Sequence, residues 1–438
     1  MGKKNSGDTE PAGRKMRKGK VPFSCLGYTF ESVDTDLVKR HMGYLILAVI
    51  LAKILVALIT TVFFNSFVDL FDIGIYLKHA VMPFEGQFPY DAEFQYPVLI
   101  FIPMMIAVVP AMMFQNAMAF VFTFQALMVL CDIVTILCVY LICLKLWDEK
   151  TAFYAGLLYA AAFSAAYFVI TKYDAFPAAL LMLALLFTLY GHTMKGYAAS
   201  VLGAFAKVFP GLAFPFLVLY NAKKADLKQE VISALKVGVP LFIILFIPLF
   251  LLNPETYRIY VPVRSELGYY SNTATFTLYT WLHDVLKIGI SIDTVSAVMY
   301  AIMGLGILAL LWVAWKIPKK DPVLLLKLIL CAVVLTVICS KVRSPQYIVW
   351  FTPLLCILAV DDIKKIAALL IFQALAYIEF PLMFGAYYTA LTYTQPAGSS
   401  GWMLTLVMFS LEYLALLICL WLVVKPAEIA DAVKTASR

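Results

Sequence analysis

The sequence predicts an all-α polytopic membrane protein, from three observations. The 438 residues are 63% hydrophobic and 14% charged, against about 45–50% apolar and about 25% charged in a soluble domain. The apolar residues gather in blocks near the roughly 20 residues that a helix needs to cross a bilayer. Several breaks between blocks are basic, the pattern of cytoplasmic loops. A transmembrane β-barrel would carry short alternating strands instead.

The first stretch, MGKKNSGDTEPAGRKMRKGK, is basic and polar, and residues 1–41 read as a cytoplasmic tail. No short apolar core with a cleavage site follows it, so it is not read as a signal peptide. Apolar blocks follow at 43–64, 97–113, 117–144, 152–171, 175–190, 198–220, 231–252, 291–315, 322–340, 346–360, 366–386 and 402–424. Some can be half-spans, so about 10–12 transmembrane helices are expected. NAKKADLKQE at 221–230, KIPKK at 316–320 and DDIKK at 361–365 are assigned to the cytoplasm. The breaks at 65–96, 253–290, 341–345 and 387–401 then face the other side, and the C-terminus returns inside. The chain divides into the tail, an N-terminal transmembrane module 42–253 with its first external loop 65–96, an external loop 254–290 and C-terminal helices 291–438.

Between 97 and 221 the parity requires an odd number of crossings. Five full crossings would put KLWDEK (145–150) outside and Asp174 inside. Three crossings plus re-entrant hairpins at 97–113 and 198–220 reverse both. The second scheme is preferred, because Pro97, Pro103, Pro110, Pro210 and Pro215 interrupt those segments and broken helices are tolerated where they line a cavity.

The net charge of +7 fits positive-inside topology rather than nucleic-acid binding. Seven of the eight cysteines fall in apolar segments, with no Cys-x-x-Cys pair, so no disulfide framework is expected. The four histidines are scattered, so no histidine-cluster metal site is expected.

The first long break, VDLFDIGIYLKHAVMPFEGQFPYDAEFQYP, is where polar residues concentrate. As a helix over 69–84 it puts Asp69, Asp72, Tyr76 and His79 on one face. Ile73, Leu77, Ala80, Val81 and Phe84 form an apolar stripe on another, the pattern of a helix lying in the membrane interface. Pro83 and EGQFPYD should end it. Tyr90, Phe94 and Tyr96 suit the headgroup layer. An Asp in such a place can serve as a general base.

This loop resembles the first luminal loop of integral-membrane glycosyltransferases of the GT-C superfamily, above all the polyprenyl-phosphate-mannose-dependent mannosyltransferases. Asp72, Tyr76, Gly86, Pro89, Tyr90, Tyr96 and Pro97 carry the likeness. CDIVTILCVYLI with Asp132, KYDAFPAALLMLALL with Asp174 and AFAKVFPGLAFPFLV with Lys207, Phe209 and Pro210 resemble later segments of the GPI first-mannose transferase, in the same order. KVRSPQYIVWFTPLL, with Lys341, Gln346, Tyr347 and Trp350, resembles a motif of that family and of prokaryotic phosphoinositol-lipid mannosyltransferases. The eukaryotic enzyme carries Asp-x-Asp in the first loop. Here Leu70 fills its first position and Asp69 stands one residue early, so a divalent metal is not expected, though it stays the alternative.

The resemblance implies a GT-C fold and transfer of a sugar, commonly mannose, from a polyprenyl-phosphate donor. The acceptor would be a glycolipid or lipid-linked glycan, outside the cytoplasm, reached by one inverting displacement. Asp72 would be the base, with Asp69 in reserve. Lys207, Lys341, Arg343, Gln346 and Tyr347 would hold the donor phosphate, cations being suited to its growing charge. Tyr76, His79, Tyr90, Tyr96, Asp174, Arg258 and Arg264 would contact donor sugar or acceptor. Lys207 also reads as a structural partner of Asp132 or Asp174, and Lys53 and Glu412 as structural pairs or cavity liners. The compact size and lack of an organellar signal point to a prokaryotic plasma membrane. The alternatives are a secondary transporter or lipid-linked-sugar flippase, which Lys207 and Asp132 keep open, and a non-enzymatic scaffold subunit.

Overall fold

A computed structural model of the chain describes residues 20–63, 69–87, 96–222, 226–252, 268–317, 320–384 and 396–436. Its first element departs from the expected tail. β1 (Pro22–Cys25) and β2 (Tyr28–Asp34) pair antiparallel. Leu26 and Gly27, at φ 48° and 74°, make the two-residue turn between them. Phe23 stacks on Phe30 with ring centroids 5.8 Å apart. Charge hid this hairpin in the sequence, although Leu-Gly between two short aromatic and β-branched runs is a hairpin pattern.

The helix α1 (Thr35–Phe63) therefore starts earlier than its apolar block. Val38, Leu45, Val49 and Val56 are buried on one side, yet Leu47, Leu51, Leu55 and Leu58 are exposed on the other. A helix apolar all round, with one face open, is one that faces lipid. The short α2 (Phe71–Val81) follows, then α3 (Phe101–Phe114) and α4 (Ala117–Leu146). Asn116 starts α4 by accepting a hydrogen bond from Met118 N at 2.9 Å.

α5 (Glu149–Ala160) and α6 (Phe163–Thr171) form one apolar run bent by 60°. α7 (Ala175–Leu189) and α8 (Thr193–Ala206) cross closely at Gly196. A Cβ there would lie 2.2 Å from Thr188 Oγ1 and 3.1 Å from the Ala184 carbonyl. After a 3₁₀ turn at Phe209–Leu212, α9 (Ala213–Asn221) runs back. Then come α10 (Leu227–Leu252), α11 (Ala274–Thr280), α12 (Ile292–Lys316), α13 (Pro322–Cys339), α14 (Ile348–Ala359), α15 (Ile363–Tyr377), α16 (Ser400–Val424) and α17 (Pro426–Ala436).

The twelve apolar blocks thus divide by physical kind. Among the described residues seven helices are long and apolar enough to cross a membrane, the α5–α6 pair would make an eighth, and four apolar helices are shorter. The short α7 and α14 are almost wholly buried, walled in by the longer helices. α10 and α12 are apolar with almost nothing buried, as lipid-facing helices are. The chain is a multi-pass membrane protein.

The preferred topology scheme is half matched in detail. The 198–220 segment does fold back on itself. Asn221 Nδ2 donates to Tyr197 Oη at 3.2 Å, joining its two ends. At its tip Gly203 and Gly211 admit Pro210 and Ala204. The 97–113 segment is not a broken hairpin but one helical leg along α4, with Pro103 in its first turn and Pro110 accommodated inside. Lys145 stands over the rings of Tyr28 (3.6 Å) and Tyr190 (4.4 Å), so KLWDEK lies at the end of the bundle that carries the β-hairpin. Asp174 lies at the opposite end, with the first loop.

Candidate functional site

The site is organised by Lys172, Tyr173 and Asp174, at the break between α6 and α7. Lys172 is extended (φ −136°, ψ 168°) and Asp174 is already helical, so the three side chains diverge. The Lys172 ammonium meets Asp69 Oδ2 at 2.6 Å and Asp72 Oδ2 at 3.0 Å. The Tyr173 ring packs edge-on against Tyr76 (5.7 Å) and Tyr96 (5.5 Å). Asp174 accepts from Lys207 at 2.6 Å and from Trp350 Nε1 at 2.5 Å.

Lys207 ends α8, where the fold-back tip begins. Its ammonium lies over Tyr173 (4.6 Å), Tyr347 (4.9 Å) and Trp350 (5.0 Å), an aromatic box around a paired cation. Trp350 in turn is stacked between Tyr347 (3.8 Å) and Phe209 (4.3 Å). Of the two partners open to Lys207 from sequence, the structure therefore pairs it with Asp174.

The two first-loop aspartates are not equivalent. Asp69 uses both oxygens, since Phe71 N donates to its Oδ1 at 3.0 Å and Lys172 holds the other. Asp72 gives Lys172 one oxygen and is the more exposed, at 17% against 12%. α2 turns Ile73, Tyr76, His79 and Ala80 inward. Tyr76 and His79 of the expected polar face are thus buried together with Ile73 and Ala80 of the expected apolar stripe, while Phe84 of that stripe is exposed. His79 Nδ1 lies 3.1 Å from the Ile75 carbonyl, and burial pushes its imidazole below the ordinary value.

The loop after α13 supplies the other charges. Lys341 is buried, with its ammonium 5.8 Å from the Tyr269 ring centre and no ion pair among the described residues. Its carbonyl accepts from Tyr270 N at 3.2 Å. Burial first, and the Asp72 carboxylate second, raise the Tyr270 phenol above its ordinary value. Tyr270 thus touches Lys341 through the backbone, and the Asp72 carboxylate acts on its phenol. Gln346 is buried in the turn that opens α14.

Arg343 departs from its expected role. Its Nη2 donates to Glu379 Oε2 at 3.2 Å and to Glu412 Oε1, and its Nη1 donates to the Asn272 carbonyl at 3.2 Å, Tyr413 Oη at 3.3 Å and Glu412 Oε2 at 3.4 Å. Two carboxylates already occupy its guanidinium. Tyr90, Arg258 and Arg264 lie outside the described residues. Asp132 is sealed mid-bundle against Lys53 at 2.5 Å and Tyr159 Oη. Glu412 and Lys53 are thus both structural partners.

Between α3, α4 and α7 an apolar groove of about 280 Å³ opens at the bundle surface, lined by Ile102, Ile106, Met128, Cys131, Phe176 and Leu180. Phe176 lies one helical step from Asp174. For a divalent ion the Asp69–Asp72 pair does not fit, because the Lys172 ammonium already bridges the two carboxylates.

Lys172 and Tyr270 are site residues that sequence reasoning passed over. The sign of Lys172 was its place at the end of an apolar block, directly before the Tyr-Asp pair. Tyr270 carried none.

No family model matches the chain, and no curated protein is similar to it in sequence. Among solved structures, ArnT from Cupriavidus metallidurans in the apo state aligns at 16% identity and a TM-score of 0.40, over 78% of this chain. This chain spans 64% of that one. A likeness this loose carries no weight for activity or substrate.

Proposed function

We propose that the chain is a GT-C glycosyltransferase that moves a sugar from a polyprenyl-phosphate donor to an acceptor hydroxyl on a glycolipid or lipid-linked glycan. Mannose is the sugar to try first, on the sequence resemblance. The observation that carries the proposal is a convergence at one end of a membrane bundle. Among the described residues Asp72 gives a partner one oxygen only and Lys341 is a buried cation without an ion pair; Tyr270 N donates to the Lys341 carbonyl, and the Asp72 carboxylate acts on the Tyr270 phenol.

In this scheme Asp72 takes the proton of the acceptor hydroxyl as that oxygen attacks the sugar carbon. The bond from that carbon to the phosphate breaks, and the phosphate leaves with both bonding electrons. Lys341 offsets its growing charge in a site poor in water, where such an interaction is strongest. Asp69 orients Lys172 and the start of α2. Tyr96, partly exposed and packed edge-on against the buried Tyr76 and Tyr173, offers an apolar ring to a sugar. The groove beside Phe176 suits the first isoprene units.

The transporter alternative drew on Lys207 and Asp132. Both are paired, with Asp174 and Lys53, which leaves neither as an open midplane charge. The test is sugar transfer by purified protein offered radiolabelled polyprenyl-phosphate-mannose and a membrane lipid extract. Transfer that Asp72→Asn abolishes, with folding and donor binding intact, supports the proposal. No transfer by folded wild type with any polyprenyl-phosphate sugar contradicts it.

A further inference from the structure

Arg343 lies two residues from Lys341, yet it does different work. Among the described residues its guanidinium joins four elements of the chain, its own loop and the three that hold its partners. The three are the turn before α11 through Asn272, the end of α15 through Glu379, and α16 through Glu412 and Tyr413. The partners are also bonded to one another. Tyr413 Oη donates to the Asn272 carbonyl at 2.7 Å, and Asn272 Nδ2 donates to Glu379 Oε1 at 2.8 Å. All of these side chains are buried.

The clamp closes on both strands of the site. Asn272 follows Tyr270, whose N–H donates to the Lys341 carbonyl, and Lys341 precedes Arg343. We propose that Arg343 is a positioning residue, fixing Lys341 and Tyr270 against one another through its hold on Glu379, Glu412 and the Asn272 carbonyl. This rests on the transferase proposal above and narrows it: Lys341 is the cation that meets the lipid phosphate, and Arg343 is the reason it stands there.

Positioning and direct ligation differ in sign. If Arg343 bound phosphate itself, neutralising Glu412 would free its guanidinium and tighten binding. If Arg343 positions Lys341, the same change slackens the clamp and weakens binding. The probe is polyprenyl monophosphate without a sugar, titrated into the purified full-length chain. Glu412→Gln and Arg343→Met should each weaken binding about three- to tenfold, and the double variant should be no worse than the weaker single, as expected of residues acting through one unit. Arg343→Lys should recover part of the loss. In transfer assays the donor KM should rise while the acceptor KM stays, a split that mere loss of folded protein would not give. If Glu412→Gln does not fold, Tyr413→Phe removes one hydroxyl from the same clamp and should weaken binding in the same direction. Tighter or unchanged binding in Glu412→Gln, beside weakened binding in Arg343→Met, overturns the inference and leaves the transferase proposal standing. Wild type that binds no polyprenyl phosphate contradicts both.

Discussion

Two of the Asp–Lys constellations among the described residues differ in what each leaves uncommitted. Mid-bundle, Lys53 on α1 meets Asp132 on α4 at 2.5 Å, with side chains 6% and 1% exposed. At the site end, Lys172 bridges Asp69 and Asp72, which stay 12% and 17% exposed. The chemistry of the groups is the same, but the surroundings are not. A sealed pair has lost its water on both sides and can do little but hold two helices in register, at a desolvation cost its attraction scarcely offsets. The open pair stays partly exposed, and among the described residues Asp72 gives only one oxygen to a partner. An ionisable residue in an apolar segment is therefore not enough to mark a site. Its unused valence decides.

The comparison can be broken in graded steps. Asp72→Asn removes the proposed base and should lower transfer about 10²–10⁴-fold, with the yield of folded protein unchanged. Asp69→Asn should cost less, since Asp69 orients rather than reacts. Asp132→Asn leaves Lys53 buried without its counter-charge and should lower stability by about 3–5 kcal/mol, read by thermal unfolding in detergent. Replacing both partners, as Lys53→Met with Asp132→Leu, should recover most of that loss. Lys341→Gln should lower transfer about 10²-fold, the scale for one charge-stabilising group. The smallest effect belongs to the far end. Lys145→Gln gives up its contacts over Tyr28 and Tyr190 and should cost ~0.5–1 kcal/mol, with transfer by the folded protein unaltered.

The architecture was legible because membrane helices announce themselves by length and composition. Each of the twelve apolar blocks became helix, and the fold-back at 198–220 was visible in Pro210 and Pro215. The same proline rule misjudged 97–113, because Pro103 falls in the first turn of α3, where a missing N–H costs little. Asp69, Asp72, Asp174 and Lys207 stood out as charges near or within apolar runs, and all four meet Lys172 or flank Tyr173. Their partners were not legible. Asp72 and Lys172 stand far apart in the chain, and Trp350 and its acceptor Asp174 are 176 residues apart. One sequence holds no record of which distant residues touch. Arg343 shows the consequence. Its place beside Lys341 suggested a phosphate ligand, while the carboxylates that occupy it lie on α16 and at the end of α15.

The most direct test sets the two constellations against each other. Transfer from radiolabelled polyprenyl-phosphate-mannose would be measured for purified Asp72→Asn and for the Lys53→Met/Asp132→Leu double variant, matched for folded protein. If the open pair is the site, Asp72→Asn loses transfer and the double variant keeps it. Transfer kept by Asp72→Asn and lost by the double variant would contradict that assignment and move the chemistry to the middle of the bundle.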